Sequence, residues 1–318
     1  TAVEVALKMA RQWRKNKGDN RSQIIAFEGA YHGDTFGAMA VGERNIFSEP
    51  FDQMLFPVSR IPWPETWWGD EKFEKREKEV LETLDQLLKT PTIAVILEPL
   101  VQGAGGMRMV RPEFLIEVEK RIRQANSLLI TDEVLTGFGR CGALFAFQRA
   151  GLKPDLISLS KGLTGGFLPM GVTMSSKRIS EGFLGEDPKQ TFWHGHSFTA
   201  NPLGCAAANA SLDLLEKFPQ KYLDFESRHL PHLEKIVKDS RVKNPRITGT
   251  IAAFNIKVKG KKGYLSSVGK IMKASALKVG VFIRPLGDVV YLMPPLCITD
   301  EELEKCYFGL QEGLNSLS

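Results

Sequence analysis

Residues 127–134 read Ser-Leu-Leu-Ile-Thr-Asp-Glu-Val, and residues 155–166 read Asp-Leu-Ile-Ser-Leu-Ser-Lys-Gly-Leu-Thr-Gly-Gly. Each segment carries a short apolar run that stops at a charge, Asp132 in the first and Lys161 in the second. A third run over 92–98 stops at Glu98. Short runs that are apolar without alternation suit strands covered on both faces, as in a parallel sheet. In such sheets the functional groups collect beyond the carboxyl ends of the strands. All three charges fall there.

The alternation of helix and strand extends outward from these runs. Residues 1–15 place Val3, Ala6, Leu7 and Ala10 on one helical face, and 22–27 read as a buried strand. Residues 28–69 are loop-rich, with Trp63, Trp67 and Trp68. Helices are predicted over 71–89, over 112–125 with Pro112 in the first turn, and over 202–217, with a short strand over 170–175. Beyond residue 217 the texture changes. Strand-like stretches at 247–258 and 281–284 flank a helix over 265–278. Residues 289–293 are expected to pair with 281–284 across a Gly287-Asp288 turn. Thr299 followed by Glu302 marks the start of a terminal helix. The expected fold class is α/β, a mostly parallel sheet covered by helices over residues 1–217 and a small C-terminal α+β domain over 218–318.

Composition narrows the function classes. The chain has 318 residues, 43% hydrophobic and 25% charged, with a formal net charge of +5. That is globular composition. Basic clusters such as Lys257-Val258-Lys259-Gly260-Lys261-Lys262 read as solvated loop, which argues against a nucleic-acid partner. No apolar run is long enough to span a membrane. Cys141, Cys205, Cys297 and Cys306 are widely spaced, as expected of reduced thiols in the cytoplasm. Residues 2–14 already read as the middle of a helix, so a segment preceding Thr1 is expected.

Several residues carry candidate chemistry. A lysine and a carboxylate at the ends of two buried strands meet the requirements of pyridoxal phosphate. The amine condenses with the cofactor aldehyde, and the carboxylate keeps the pyridine nitrogen protonated. Asp132 and Val134 alternate along one strand and are expected on one side of it. Small Ser160 and the glycines after Lys161 leave room for a ligand, and a buried lysine there would have its pKa lowered. Tyr31, in Tyr31-His32-Gly33-Asp34, could stack on a planar ring, although a loop tyrosine packing on the core is the commoner case. Gly103-Ala104-Gly105-Gly106 lacks the context of a nucleotide loop. His194-Gly195-His196-Ser197 is a poor metal motif, and its hydroxyl and amides suit an anion better. Arg284, placed at a cleft, could clamp a carboxylate.

Together and in this order, the motifs resemble the fold-type I, class III aminotransferases over nearly the whole chain. The resemblance rests on Asp-Glu-Val-Leu-Thr-Gly-Phe-Gly-Arg (132–140) and Lys-Pro-Asp-Leu-Ile-Ser-Leu-Ser-Lys-Gly-Leu-Thr-Gly-Gly (153–166), supported by residues 30–39, 98–109, 201–212 and 283–295. It implies a seven-stranded-type sheet, pyridoxal 5'-phosphate as cofactor, and a homodimer whose subunits share the active site. It implies that Lys161 bonds the cofactor, Asp132 partners the pyridine nitrogen, and Tyr31 and Val134 take opposite ring faces. Ser197 is implied to reach the neighbouring subunit's cofactor phosphate, and Arg284 a substrate carboxylate. Gly195 and Asp34 are implied at the substrate site, and Glu98 close behind it. The nearest resemblance within the class is to biotin-synthesis members, which implies S-adenosylmethionine as amino donor and 8-amino-7-oxononanoate as acceptor. A different ω-amine donor (lysine, ornithine or γ-aminobutyrate) and a cofactor-free, inactive fragment are the alternatives. The family carries an N-terminal segment before the position of Thr1, with aromatic pocket residues and a phosphate-binding turn. His196 stands where proline is common.

Overall fold

The computed structural model describes residues 1–258 and 266–317. Lys259, Lys261 and Lys262 of the basic cluster, and Leu265 at the start of an expected helix, lie outside the described residues.

The apolar runs form the centre of a sheet. Its strands are β1 (Gln23–Phe27), β2 (Ser59–Ile61), β3 (Thr92–Leu97), β6 (Leu128–Asp132), β7 (Leu156–Leu159) and β8 (Val172–Ser175). Two short strands, β4 (Val101–Gln102) and β5 (Arg108–Met109), pair with each other between β3 and β6 in sequence. The sheet order is β2-β1-β3-β6-β7-β8, six strands among the described residues. All neighbours are parallel except β8, which runs antiparallel to β7. The accompanying helices are α1 (Ala2–Asn16), α2 (Phe36–Val41), α3 (Phe73–Leu87), α4 (Pro112–Gln124), α5 (Ala146–Arg149), α6 (Lys177–Ser180) and α7 (Pro202–Lys217).

Residue parity explains why the strands are apolar throughout. Ile25, Phe27, Val95, Leu97 and Leu129 pack with Val80 and Leu84 of α3 and Phe114 and Val118 of α4. Ile24, Ala26, Ala94, Ile96, Leu128 and Ile130 pack on the other face with Val3, Ala6, Leu7 and Ala10 of α1. Neither face meets water, so neither parity can be polar. Asp155 fixes β7 beside β6: its carboxylate accepts from Leu129 N at 2.9 Å and pairs with Arg123 and Arg178.

A second, antiparallel sheet contains β9 (Val242–Thr248), β10 (Ile251–Ile256) and β11 (Val289–Leu292), in the order β11-β10-β9. It packs with α9 (Phe225–Ile236), α10 (Val268–Lys278) and α11 (Asp300–Asn315), while α8 (Gln220–Leu223) places Tyr222 against Phe138 and α7. Two expectations are corrected here. The single strand over 247–258 is a hairpin, because Gly249 at φ +53° turns the chain between β9 and β10. Residues 281–284 are not a strand. Val281 and Ile283 are buried and Phe282 is exposed, which imitates strand alternation, but β11 pairs with β10 instead. The Gly287-Asp288 turn closes only an isolated bridge between Leu286 and Val289. The expected capping box is present: Thr299 N donates to Glu302 Oε2 at 2.9 Å and Glu302 N to Thr299 Oγ1 at 3.2 Å.

His229 is fully buried beneath this sheet. Its Nε2 faces the Thr250 carbonyl at 3.1 Å, which can only accept, so Nε2 carries the proton. Nδ1 then accepts from the Tyr307 hydroxyl at 2.8 Å. Burial pushes the imidazole pKa down to about 4. The folded chain therefore binds fewer protons than the unfolded chain between that value and the ordinary histidine range. The associated stability is complete above about pH 6.5 and is lost as pH falls toward 4. The contribution to unfolding free energy should drop by about 2 kcal/mol between about pH 7 and pH 5. Urea denaturation of wild type and His229→Gln at both pH values checks this; equal pH slopes for the two proteins would contradict it.

Candidate active site

Asp132 ends β6 with the parity of Leu128 and Ile130, so it leaves the sheet on the α1 side. It lines a cavity of about 690 Å³ together with Tyr31, Glu98, Val134, Lys161 and the first residues of α1. The carboxylate is buried, and each oxygen has a partner. Oδ1 accepts from Val134 N at 3.0 Å, and Oδ2 meets His32 Nδ1 at 2.7 Å. β6 stops at Asp132, so Val134 reaches the cavity from the following turn and not from the strand.

His32 is itself buried, and its Nε2 finds no hydrogen-bond partner among the described residues. Burial pulls its pKa down, but the hydrogen bond and charge of Asp132, with the charge of Glu98, outweigh this and raise it. Glu98, just past β3, accepts from Tyr31 N at 3.1 Å through Oε1 and from Gly103 N at 3.0 Å through Oε2. Burial raises its pKa to about 7, against the opposing charge of His32. Three carboxyl-edge groups thus share one buried electrostatic cluster.

Lys161 is exposed, not buried as expected, and opens the turn after β7 at φ +44°. A non-glycine residue in this region is held there at a cost of roughly 1 kcal/mol. Lys161 borders the Asp132 cavity and a second one of about 740 Å³ between its loop and α7. Tyr31 is half-exposed, and its hydroxyl donates to Asp34 Oδ2 at 2.9 Å. Gly195 lines the cavity, whereas Asp34, Ser197 and Arg284 are exposed and do not. A larger cavity of about 1380 Å³ runs along α1 but contains neither Asp132 nor Lys161.

Adjacent acids have separate tasks. Glu133 points away from the cavity and is fully buried, accepting from Phe147 N at 2.6 Å, Ala146 N at 3.0 Å and Thr136 Oγ1 at 2.8 Å. It therefore caps the first turn of α5. Asp132 ends β6 and Glu133 follows it, so neighbouring acids serve different surroundings.

The chain matches the family model for class III aminotransferases over residues 1–314. It belongs to the class III aminotransferases. Adenosylmethionine-8-amino-7-oxononanoate aminotransferase of Synechococcus elongatus is 53% identical over 318 residues, covering 100% of this chain and 75% of that protein. The enzyme of the same description from Geobacter sulfurreducens is 39% identical, with 100% and 73% covered. Among solved structures, an amine transaminase from an uncultivated Pseudomonas species in a PLP-bound form superposes with TM-score 0.92 at 28% identity, covering 99% of this chain and 74% of that one. The Methanocaldococcus jannaschii adenosylmethionine-8-amino-7-oxononanoate aminotransferase gives TM-score 0.84 at 31% identity, with 98% and 73% covered. The fold is thus fold-type I, and pyridoxal 5'-phosphate is the cofactor of this family.

Among the described residues no helix is long and apolar enough to cross a membrane. The four cysteines are free thiols, with Cys141 buried and Cys297 exposed.

The division of labour between neighbouring acids makes a prediction. Glu133→Ala strands three donors and should lower the unfolding free energy by about 3 kcal/mol. Asp132→Asn keeps an acceptor for Val134 N and weakens only the contact with His32, so it should cost less, about 1–2 kcal/mol. Urea unfolding of both variants checks this; the reverse order would contradict the assignment.

Proposed function

We propose that the chain is a pyridoxal-phosphate-dependent aminotransferase acting on 8-amino-7-oxononanoate with S-adenosylmethionine as donor, the reaction for which its curated relatives are named. The observation that carries this reading is the cavity shared by Asp132, held by buried His32, and Lys161. The residues suit the cofactor. Asp132 offers a fixed negative charge to a protonated ring nitrogen, and Lys161 offers an amine in the same space. Ala2 and Val3, in the first turn of α1, line the cavity, and first-turn amides suit a phosphate.

When bound, pyridoxal phosphate supplies an aldehyde that condenses with amines and a ring that accepts the electron pair left by a departing proton. Lys161 Nζ would move the donor's α-proton, first as base and then as acid. His32 holds the Asp132 carboxylate in place through Oδ2. Tyr31 and Val134 hold the two ring faces. Arg284 binds the acceptor's carboxylate, with Gly195 and Asp34 beside the substrate. Arg284 is exposed and lies outside the cavity lining, so this role requires its side chain to reach the cavity.

A homodimer completes the reading, with Ser197 serving the neighbouring subunit's cofactor phosphate. It is supported by exposed apolar side chains in or near the segments that line the two cavities. Phe167, Trp193, Phe198 and Leu203 are 82%, 76%, 74% and 73% exposed. Unassociated chains rarely leave such groups in water together. We further assign residues 1–217 to a cofactor-binding domain and 218–318 to a smaller one.

One site must take two substrates in turn, so initial rates with both varied should give parallel double-reciprocal lines; intersecting lines would contradict the proposal. Asp132→Asn should lower kcat by roughly 10²–10³-fold, in the range for loss of an electrostatic stabiliser. In single turnovers S-adenosylmethionine should consume the cofactor's visible band faster than lysine, ornithine or γ-aminobutyrate, and faster loss with one of these would move the donor to that amine.

A further inference from the structure

Two arginines, Arg246 buried and Arg140 half-buried, join the antiparallel sheet to the loops that carry the site carboxylates. Arg246 on β9 donates from Nε to Met107 O at 2.6 Å and from Nη2 to Gly106 O at 2.7 Å. Its Nη1 donates to Asn244 O at 2.7 Å and Asn255 Oδ1 at 2.8 Å within its own sheet. Arg140, on the loop after Asp132, donates to Thr250 Oγ1 at 2.8 Å and Pro294 O at 2.7 Å. Thr250 N returns a bond to Arg140 O at 3.0 Å. All of these acceptors are neutral.

Burying a guanidinium among neutral acceptors is costly, and an apolar side chain would fill the same space more cheaply. The arginine contributes geometry: a rigid fork that fixes two consecutive carbonyls at once. Those carbonyls belong to a strained turn. Gly106 and Met107 have φ +110° and +52°, and both amides donate to Gly103 O. Gly103 N donates in turn to Glu98 Oε2, while Tyr31 N holds Oε1. The turn therefore lies between Arg246 on one side and Glu98, beside His32 and Asp132, on the other.

We propose that Arg246 is a positioning residue of the active site: it holds the Gly103–Met107 turn so that the amides of Gly103 and Tyr31 bracket Glu98, and so fixes the Glu98–His32–Asp132 cluster against the cavity. The antiparallel sheet then acts on cofactor binding without touching the cofactor. The consequence for cofactor affinity rests on the function proposed above, whereas the consequence for the backbone does not.

The test uses cofactor-free protein first. Amide hydrogen exchange is followed at Tyr31 and Gly103 in wild type, Arg246→Gln and Arg246→Lys, with α4 amides as internal control and circular dichroism as the check of folding. Exchange at both amides should rise about tenfold or more in Arg246→Gln and less in Arg246→Lys, with α4 unchanged. Unchanged exchange at Tyr31 and Gly103 would overturn the proposal. So would a uniform rise across all amides, which marks general destabilisation. If Arg246→Gln does not fold, Arg246→Lys decides by the same criterion. In the same preparations, titration with pyridoxal phosphate should show affinity weakened about tenfold in Arg246→Gln, which a purely structural anchor would not produce. If the wild-type chain fails to bind pyridoxal phosphate, the proposed function falls while the exchange result still judges Arg246.

Discussion

A carboxylate buried at the edge of a parallel sheet is costly unless it has a partner. For Asp132 that partner is His32, at 2.7 Å. Much of the site's arrangement follows from this contact. His32 belongs to the loop after β1, so β1 and β6 must end at the same edge with β3 between them. β3 in turn delivers Glu98 to the same cluster, where its charge, with that of Asp132, raises the His32 pKa against burial. The parallel order thus brings three groups, distant in sequence, to one point. Lys161 joins them because β7 is the next strand along.

The same edge shows how a fold separates chemistry from support. Asp132 turns toward the cavity, whereas Glu133 turns into the protein and closes the turn before α5. Asp155 in the Lys-Pro-Asp segment is also structural, holding β7 against β6 through a backbone amide and two arginines. Each acid looks equally suggestive in the sequence. Only the direction in which a side chain leaves its strand distinguishes them.

Much was legible because the strands covered on both faces are continuously apolar. β1, β3, β6, β7 and the helices α1, α3, α4, α7, α10 and α11 could be placed from that texture and from Pro112, Thr299 and Glu302, whereas α9 was missed. What escaped had weaker local signals. β2 is three residues long and owes its existence to pairing with β1. Residues 281–284 alternate like a strand because Val281 and Ile283 fill a core from an irregular segment. Gly249 gave a turn signal that the apolar residues around it concealed. At the site, Asp132, Lys161, Tyr31 and Val134 were named and share a cavity. Arg284 was also named, but its sequence position shows neither its exposure nor its distance from the cavity. The support of His32, the capping by Glu133 and the bracing by Arg246 were missed, since each depends on a partner remote in sequence. Among them, His32 had the nearest thing to a signal, as a histidine beside a candidate ring-stacking tyrosine.

The central claim is that Lys161 and Asp132 form one cofactor site. The most direct measurement is the absorption spectrum of the purified chain with pyridoxal phosphate, before and after borohydride, beside Lys161→Ala. The account predicts a visible band in the wild type that borohydride converts into a modification located on Lys161, and no such modification in the variant. A folded wild-type chain without that band, or a modification located on another lysine, would contradict it.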